Sequence, residues 1–234
     1  MHLQAVEPRR LYRQIADQLR KLISNGDVAP GDRLPAERDL ARRLGVSRPS
    51  LREALIALEI EGLLEVRVGS GIYVSRPGER TSRAELADAS GPFEVIRARR
   101  LIEGECAALA ARHASPAQLR AIRAAHAHMQ KEARRNHNPL HADRAFHVRI
   151  AEAAGNSALE LVVQTLWDQR VGPFYRALET KLEYPAMAGE TLREHAAVLA
   201  AILVHDPAKA RAAMHRHMDL TSRRYSTEWK AAVQ

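Results

Sequence analysis

The chain has 234 residues, of which 46% are apolar, 27% charged and 4% aromatic; that is enough to pack one large or two modest cores, and it argues against wholesale disorder. The single cysteine, Cys106, excludes an internal disulfide framework and any cysteine-rich zinc module. The net charge of +8 suits a polyanionic partner, and half of it lies between Arg33 and Arg52, where six arginines face only Glu37 and Asp39.

No run approaches the ~18 consecutive apolar residues of a membrane span. The opening MHLQAVEPRRLYRQ lacks the apolar centre of a signal peptide, so a cytoplasmic protein with no membrane partner is expected. Ala, Leu, Arg and Glu dominate the composition, and their side chains lose little rotamer freedom in a helix.

Leu11, Ile15, Leu19 and Leu22 or Ile23 recur at helical spacing, which predicts a helix from Leu11 to Ser24. Asn25-Gly26 and Pro30-Gly31-Asp32 end it. In LPAERDLARRLG, Pro35 stands near a second helix start and Gly45 just past its end. A third helix follows in SRPSLREALIALEIEG, with Ser47 as N-cap, Pro49 in the first turn, a face of Leu51, Leu55 and Leu58, and Gly62 as its close. Two short helices across a tight glycine turn make a helix-turn-helix. LLEVRV, a turn at Gly69-Ser70-Gly71, and IYVS then read as a small β-hairpin, completing the order of a winged helix.

The stretch LPAERDLARRLGVSRPSLREALIALEIEGLLEVRVGSGIYV resembles the DNA-binding domain of the GntR family of bacterial regulators, over about Leu11 to Ser75. The resemblance implies that the N-terminus of the third helix enters the major groove of double-stranded operator DNA. That helix end offers Ser47, Arg48, Ser50 and Arg52 around free backbone N–H groups. Arginine can hold guanine O6 and N7 with two parallel hydrogen bonds, while serine and backbone donors mostly hold phosphates. The family pattern adds Arg38 in PAER and the wing residue Gly69. Arg42, Arg43 and Arg67 read as solvated surface, and Leu51, Leu55 and Leu58 as core.

RPGERTSRAELADASGP, from Arg76 to Pro92, is polar and reads as a linker with one helical turn near 84–89. The expected domains are therefore 1–76, a linker at 77–92, and an all-helical unit at 93–230. Helices are predicted at Phe93–His113, from Pro116 behind the capping box Ser115–Gln118, at His141–Ala154 before Gly155-Asn156, at Ser157–Val171, at Gly189–Val204 and from Pro207 to about Trp229. The whole is a mainly α protein: an N-terminal winged helix-turn-helix and a C-terminal antiparallel bundle of six or seven helices.

The chain has 11 histidines. Asp143 and His147 project together, four apart in one helix. His195 shares a stripe with Leu192, Leu199 and Ile202, and His217 one with Ala210, Met214 and Thr221. His126, on the stripe Leu119–Ile122–Met129, is a rival for an interior role. Polar groups facing a core are costly unless partnered. One carboxylate and three imidazoles could answer one another around a divalent metal ion, or as hydrogen-bonded core residues.

From Phe93 to about Arg224, segments such as FEVIRARRLIEGECAALAAR, DRAFHVRIAEAAGNSAL, REHAAVLAAI and AMHRHM resemble the all-helical FCD effector domain of the FadR-type branch. Its metal-binding members imply one Asp and three His ligands, which map to Asp143, His147, His195 and His217. Zinc is the favoured ion, with nickel, manganese and iron as alternatives. The resemblance also implies Arg99 in R-x-x-I-E and Asn156 in AGN as helpers for a carboxylate ligand. Arg170 in LWDQR adds a second cation or belongs to the surface.

The resulting expectation is a homodimeric transcriptional regulator, read as a repressor, whose DNA binding responds to a small organic acid at a metal pocket. EVRVGSGIYV and GPFE look nearest to regulators of sugar-acid (hexuronate or aldonate) catabolism. The alternatives are a metalloenzyme carrying a DNA-binding appendage and a regulator with a purely structural metal. The first is disfavoured because no H-E-x-x-H or similar motif supplies a base, so an enzyme is not expected.

Overall fold

Apolar residues at helical spacing fold Leu11–Ser24 into α1, which buries Tyr12, Ile15, Ala16 and Leu19. The computed structural model describes residues 10–67, 70–75, 90–135, 137, 139–171, 175 and 184–233. Helix α2 is Glu37–Leu44, and Gly45 ends it in the left-handed conformation at φ +65°, where a glycine pays no Cβ penalty. Helix α3 is Arg48–Ile60; the Ser47 hydroxyl caps it by accepting from Ser50 N–H, with Pro49 in the first turn. Leu51, Leu55 and Leu58 are fully buried, as their spacing predicts.

Strands β1 (Leu64–Arg67) and β2 (Gly71–Val74) pair antiparallel in the register Leu64↔Val74 to Arg67↔Gly71. A third line of backbone runs along the free edge of β2. Gly31 N–H donates to Val74 O at 2.8 Å, Val74 N–H to Asp32 O at 2.9 Å and Leu34 N–H to Ile72 O at 2.8 Å. Pro30-Gly31-Asp32 hid this pairing, because the same residues read as an ordinary loop.

The later helices are α4 (Pro92–His113), α5 (Pro116–Arg134), α6 (Leu140–Ala153), α7 (Ser157–Asp168), α8 (Tyr184–Leu203) and α9 (Pro207–Val233). The capping box between Ser115 and Gln118 is present at the head of α5. Several boundaries differ from expectation, and α9 continues to Val233 past the expected Trp229. The helix expected to reach Val171 tightens into a 3₁₀ turn at Gln169–Val171. Helix α8 starts at Tyr184 rather than Gly189, because an interior glycine costs only about 1 kcal/mol while Pro185 suits a first turn. The helical turn expected near 84–89 lies outside the described residues, as does Gly69.

Two compact units result, one of Met1–Phe93 with Pro173–Thr180 and Ser226–Gln234, the other of Glu94–Gly172 with Lys181–Tyr225. Within the second, α5 packs on α6 and α8, and α6 on α7. Among the described residues no helix is long and apolar enough to cross a membrane.

Arg52 corrects one expectation. It is 2% exposed and forms two parallel bonds to Glu37, at 2.7 and 2.8 Å, so its guanidinium clamps α3 to α2 instead of facing outward. Position 52 is one turn along α3 from the free N-terminal end, where the helix already faces its own core. Replacing Glu37 with Ala strands a buried charge and should cost about 3–5 kcal/mol. Alanine at the exposed Arg38 should stay within about 0.5 kcal/mol. Urea unfolding of the two variants checks the contrast, and equal midpoints would refute the clamp.

Candidate metal centre and nucleic-acid interface

Three helices bring one histidine each to a common point. His147 comes from α6, His195 from α8 and His217 from α9; they are 1%, 0% and 4% exposed. Each offers one ring nitrogen within 4.8 Å of the others. His147 Nε2 lies 3.0 Å from His195 Nε2. Asp143, one turn before His147 on α6, sets its Oδ1 3.3 Å from the first nitrogen and 3.0 Å from the second. All four residues singled out by spacing and resemblance are thus in one cluster. His126 is not. It is buried beside Phe146, with its Nε2 3.3 Å from Leu192 O.

The outer nitrogens are all engaged. His195 Nδ1 is 2.8 Å from Thr191 O, His217 Nδ1 is 2.8 Å from Glu194 Oε2, and His147 Nδ1 abuts Glu103. Each acceptor draws the imidazole proton to Nδ1 and leaves the Nε2 lone pair turned to the shared centre. Each carboxylate in turn meets an arginine. Arg99 Nε donates to Glu103 at 2.6 Å, Arg170 to Asp143 at 3.2 Å, and Arg224 to both oxygens of Glu194 at 2.6 and 2.9 Å. The guanidiniums of Arg99 and Arg170 also stack on Trp167, at 4.0 and 4.7 Å from its ring centre.

Electrostatics follow this wiring. Burial pushes the Glu103 carboxyl up, but Arg99 and His147 outweigh it and hold it at about 2. Glu194 is likewise raised by burial and brought down to about 2 by Arg224 and His217. Burial would raise Asp143 too, yet contacts with His147 and His195 keep it well below the usual carboxylate range. Burial and the neighbouring His195 hold His217 down at about 3, leaving it neutral and able to ligate. His147 moves the other way: burial lowers it, and Glu103 and Asp143 more than reverse that.

The arrangement fits a metal ion. With the Nδ1 protons drawn outward, the Nε2 atoms of His147 and His195, 3.0 Å apart, and Asp143 Oδ1, 3.3 and 3.0 Å from them, converge as three donor atoms on one buried point. Acceptors converging in a dry site repel unless a proton or a metal cation lies between them, and a divalent ion can serve all of them at once.

The expected helpers fare differently. Arg99 and Arg170 belong to the cluster through Glu103 and Asp143. Asn156 does not reach it, and that expectation is corrected. Asn156 is exposed, and its Oδ1 accepts from Ala158 and Leu159 N–H at 3.0 and 3.3 Å as the N-cap of α7. Glu103, Thr191, Glu194, Arg224 and Trp167 went unforeseen. The one available signal was the i,i+4 pair Arg99–Glu103, which lies inside the quoted R-x-x-I-E.

In the first unit, Ser47 and Arg48 are exposed at the N-terminus of α3, and the Arg38 side chain is 84% exposed. Ser50 is 9% exposed, with its Oγ 2.9 Å from that of Ser47. Arg42 is paired with Asp39 at 3.1 Å and Arg67 with Glu65 at 3.0 Å, in keeping with surface roles.

A winged helix-turn-helix with a bare basic helix end defines a DNA-binding protein, here carried with a helical unit built around buried histidines. Residues 11–74 match the bacterial regulatory proteins of the gntR family, and residues 94–220 match the FCD domain. The chain belongs to the GntR family, in its FadR-type branch with an FCD domain. It is 37% identical to the Exu regulon transcriptional regulator of Escherichia coli (strain K12), over 94% of this chain and 86% of that one. It is 35% identical to the Uxu operon transcriptional regulator of the same strain, over 94% and 88%. Among solved structures it resembles Streptococcus agalactiae GntR, with TM-score 0.50 and 26% identity over 91% and 99% of the two chains. It shares its fold with E. coli McbR/YncC, at TM-score 0.52 and 23% identity over 94% and 99%. The protein is a transcriptional regulator, and its relatives are regulators rather than enzymes.

The wiring sets a pH dependence for the metal-free protein. His217 falls from 6.5 to about 3 and Glu194 from 4.5 to about 2. A lowered folded value contributes stability that is complete above the unfolded value and is lost as pH falls through the folded one. The urea midpoint of chelator-treated protein should therefore drop as pH falls from 6.5 toward 2, and Glu194→Gln should flatten the part below 4.5. His147, being raised, acts in the opposite sense above 6.5, outside this window. A midpoint independent of acid pH would contradict the assignment.

Proposed function

We propose that this regulator, a repressor, binds operator DNA as a homodimer and responds to a small carboxylic acid of the sugar-acid class at a divalent metal held by Asp143, His147, His195 and His217. One observation carries the reading. Glu103, Asp143 and Glu194 are each matched by one arginine, Arg99, Arg170 and Arg224, so the charges around the histidines balance among the described residues before any metal enters. A divalent ion adds two positive charges that the protein leaves uncompensated. A dry site with surplus positive charge favours an anion, and a carboxylate is the metabolite anion that suits a metal with an open position. Mixed imidazole and carboxylate ligands suit zinc first, then nickel, manganese or iron.

The relatives named for the Exu regulon and Uxu operon support hexuronates as the first acids to try. For the acid to regulate, it must bind one arrangement of the protein better than the other. On the DNA side, Arg48 and Arg38 meet the operator together with Ser47, Ser50, the α3 N–H groups and Gly69, and a dimer suits a two-fold operator.

Operator binding, followed by mobility shift on the gene's own upstream DNA with hexuronates and aldonates added, tests the reading. Release by one acid, abolished by chelation, is expected; binding that no acid alters would assign the metal a structural role. His195→Ala should lower metal content and remove the acid response while DNA affinity persists, and unchanged metal content would refute the ligand set. Arg48→Ala should weaken operator binding by about 1–3 kcal/mol with an unchanged melting temperature, and full binding would move the interface elsewhere.

A further inference from the structure

The wing carries a cation that neither the motif nor the family match accounts for. Residues 31–34 are bonded along the outer edge of β2, and Arg33 itself bridges to Tyr73. Its guanidinium lies across Gly71: a Cβ there would come within 2.7 Å of Arg33 Nε and 3.2 Å of its Cζ. Gly71, at φ +124°, is the first residue of β2 and pairs with Arg67, so the charge sits at the turn end of the hairpin. Gly69 is two residues away in sequence.

The neighbouring arginines are largely spoken for: Arg42 by Asp39, Arg52 by Glu37 and Arg67 by Glu65. Arg33 is exposed and has no carboxylate or hydrogen-bond partner among the described residues. Its backbone is fixed by the strand bonds on either side, and its guanidinium already rests over Gly71. Part of the ordering cost of a contact is thereby met before any ligand arrives.

We propose that Arg33 is a further DNA contact, holding a backbone phosphate beside the wing. On the DNA-binding reading this rests on, a cation at the turn end of the hairpin, on the outer flank of β2, would meet the wall of a groove rather than its floor. The wall is phosphate, and an unpaired guanidinium is a strong hydrogen-bonding partner for it.

Neutralising one phosphate adds about 0.9 to the slope of log affinity against log salt, which amounts to about eightfold in affinity near 0.1 M. The test uses the full-length protein and a fluorescent duplex of random sequence, titrated at several salt concentrations. Arg33→Ala should weaken binding by about that factor and make the slope shallower by about 0.9. Arg33→Lys should keep the wild-type slope, because an ammonium also neutralises a phosphate.

An unchanged slope in Arg33→Ala would overturn the proposal, even with weaker binding, since a purely structural role in the wing does not alter counterion release. Equal loss in the Lys and Ala variants would overturn it as well, by making the flat guanidinium over Gly71 the essential feature. If Arg33→Ala melts at a lower temperature, the lysine variant decides alone: a retained slope supports the phosphate contact, and a lost one refutes it.

Discussion

Three imidazoles buried at one point are the constraint around which the second unit is organised. A buried polar ring without partners costs free energy, and three together cost more, since each also excludes water from the others. The unit answers by fixing every outer nitrogen to an acceptor, Glu103, Thr191 O or Glu194, and by fixing both of those carboxylates to arginines. Helix α4 is tied to α6 through Arg99–Glu103–His147, and α8 to α9 through Glu194. Removing one arginine would leave a carboxylate unpaired, and removing one carboxylate would free a ring. The tertiary packing and the chemistry of the centre are therefore one set of contacts.

Trp167 extends the same logic to the arginines. Arg99 and Arg170 belong to different helical segments and serve different carboxylates, yet both lay their guanidiniums on its indole, whose ring centre is 5.1 Å from that of His147. Stacking satisfies the flat faces of two cations whose edges are already hydrogen-bonded. A lysine in either place would lose that face.

Much of this was readable in the chain, for identifiable reasons. Helices with caps and glycine stops, such as α3 behind Ser47 and α5 behind Ser115, announce themselves because the signals are local. The histidine cluster was likewise accessible: Asp143 and His147 share a helical face and His195 and His217 lie on apolar stripes, and the family resemblance joined the four. Partners at long sequence separation were not. Nothing local pairs Glu194 with Arg224, 30 residues on, or tells Arg52 to turn inward to Glu37. Asn156 shows the opposite failure. A residue placed in the pocket by family pattern is spent on capping α7, a role its position before Ser157 equally permits. The strand-like segment beside β2 was missed because its proline and two glycines carry the composition of a turn.

The charge balance at the histidine centre bears on why a metal would serve a sensor here. A pocket made only of arginines attracts any anion in proportion to its charge and is screened by salt near the surface. Here the arginines are consumed by Glu103, Asp143 and Glu194, so they offer little to a passing anion. On the proposed reading, positive charge would become available only with a bound ion, and then at one position with directional coordination. Selectivity among acids would then rest on which of them reaches the metal while fitting around Trp167 and the balanced pairs. An acid that coordinates but meets an already paired arginine must break that pair or leave it intact. That choice separates ligands of similar charge by shape, and it is the kind of differential contact a switch between two arrangements requires.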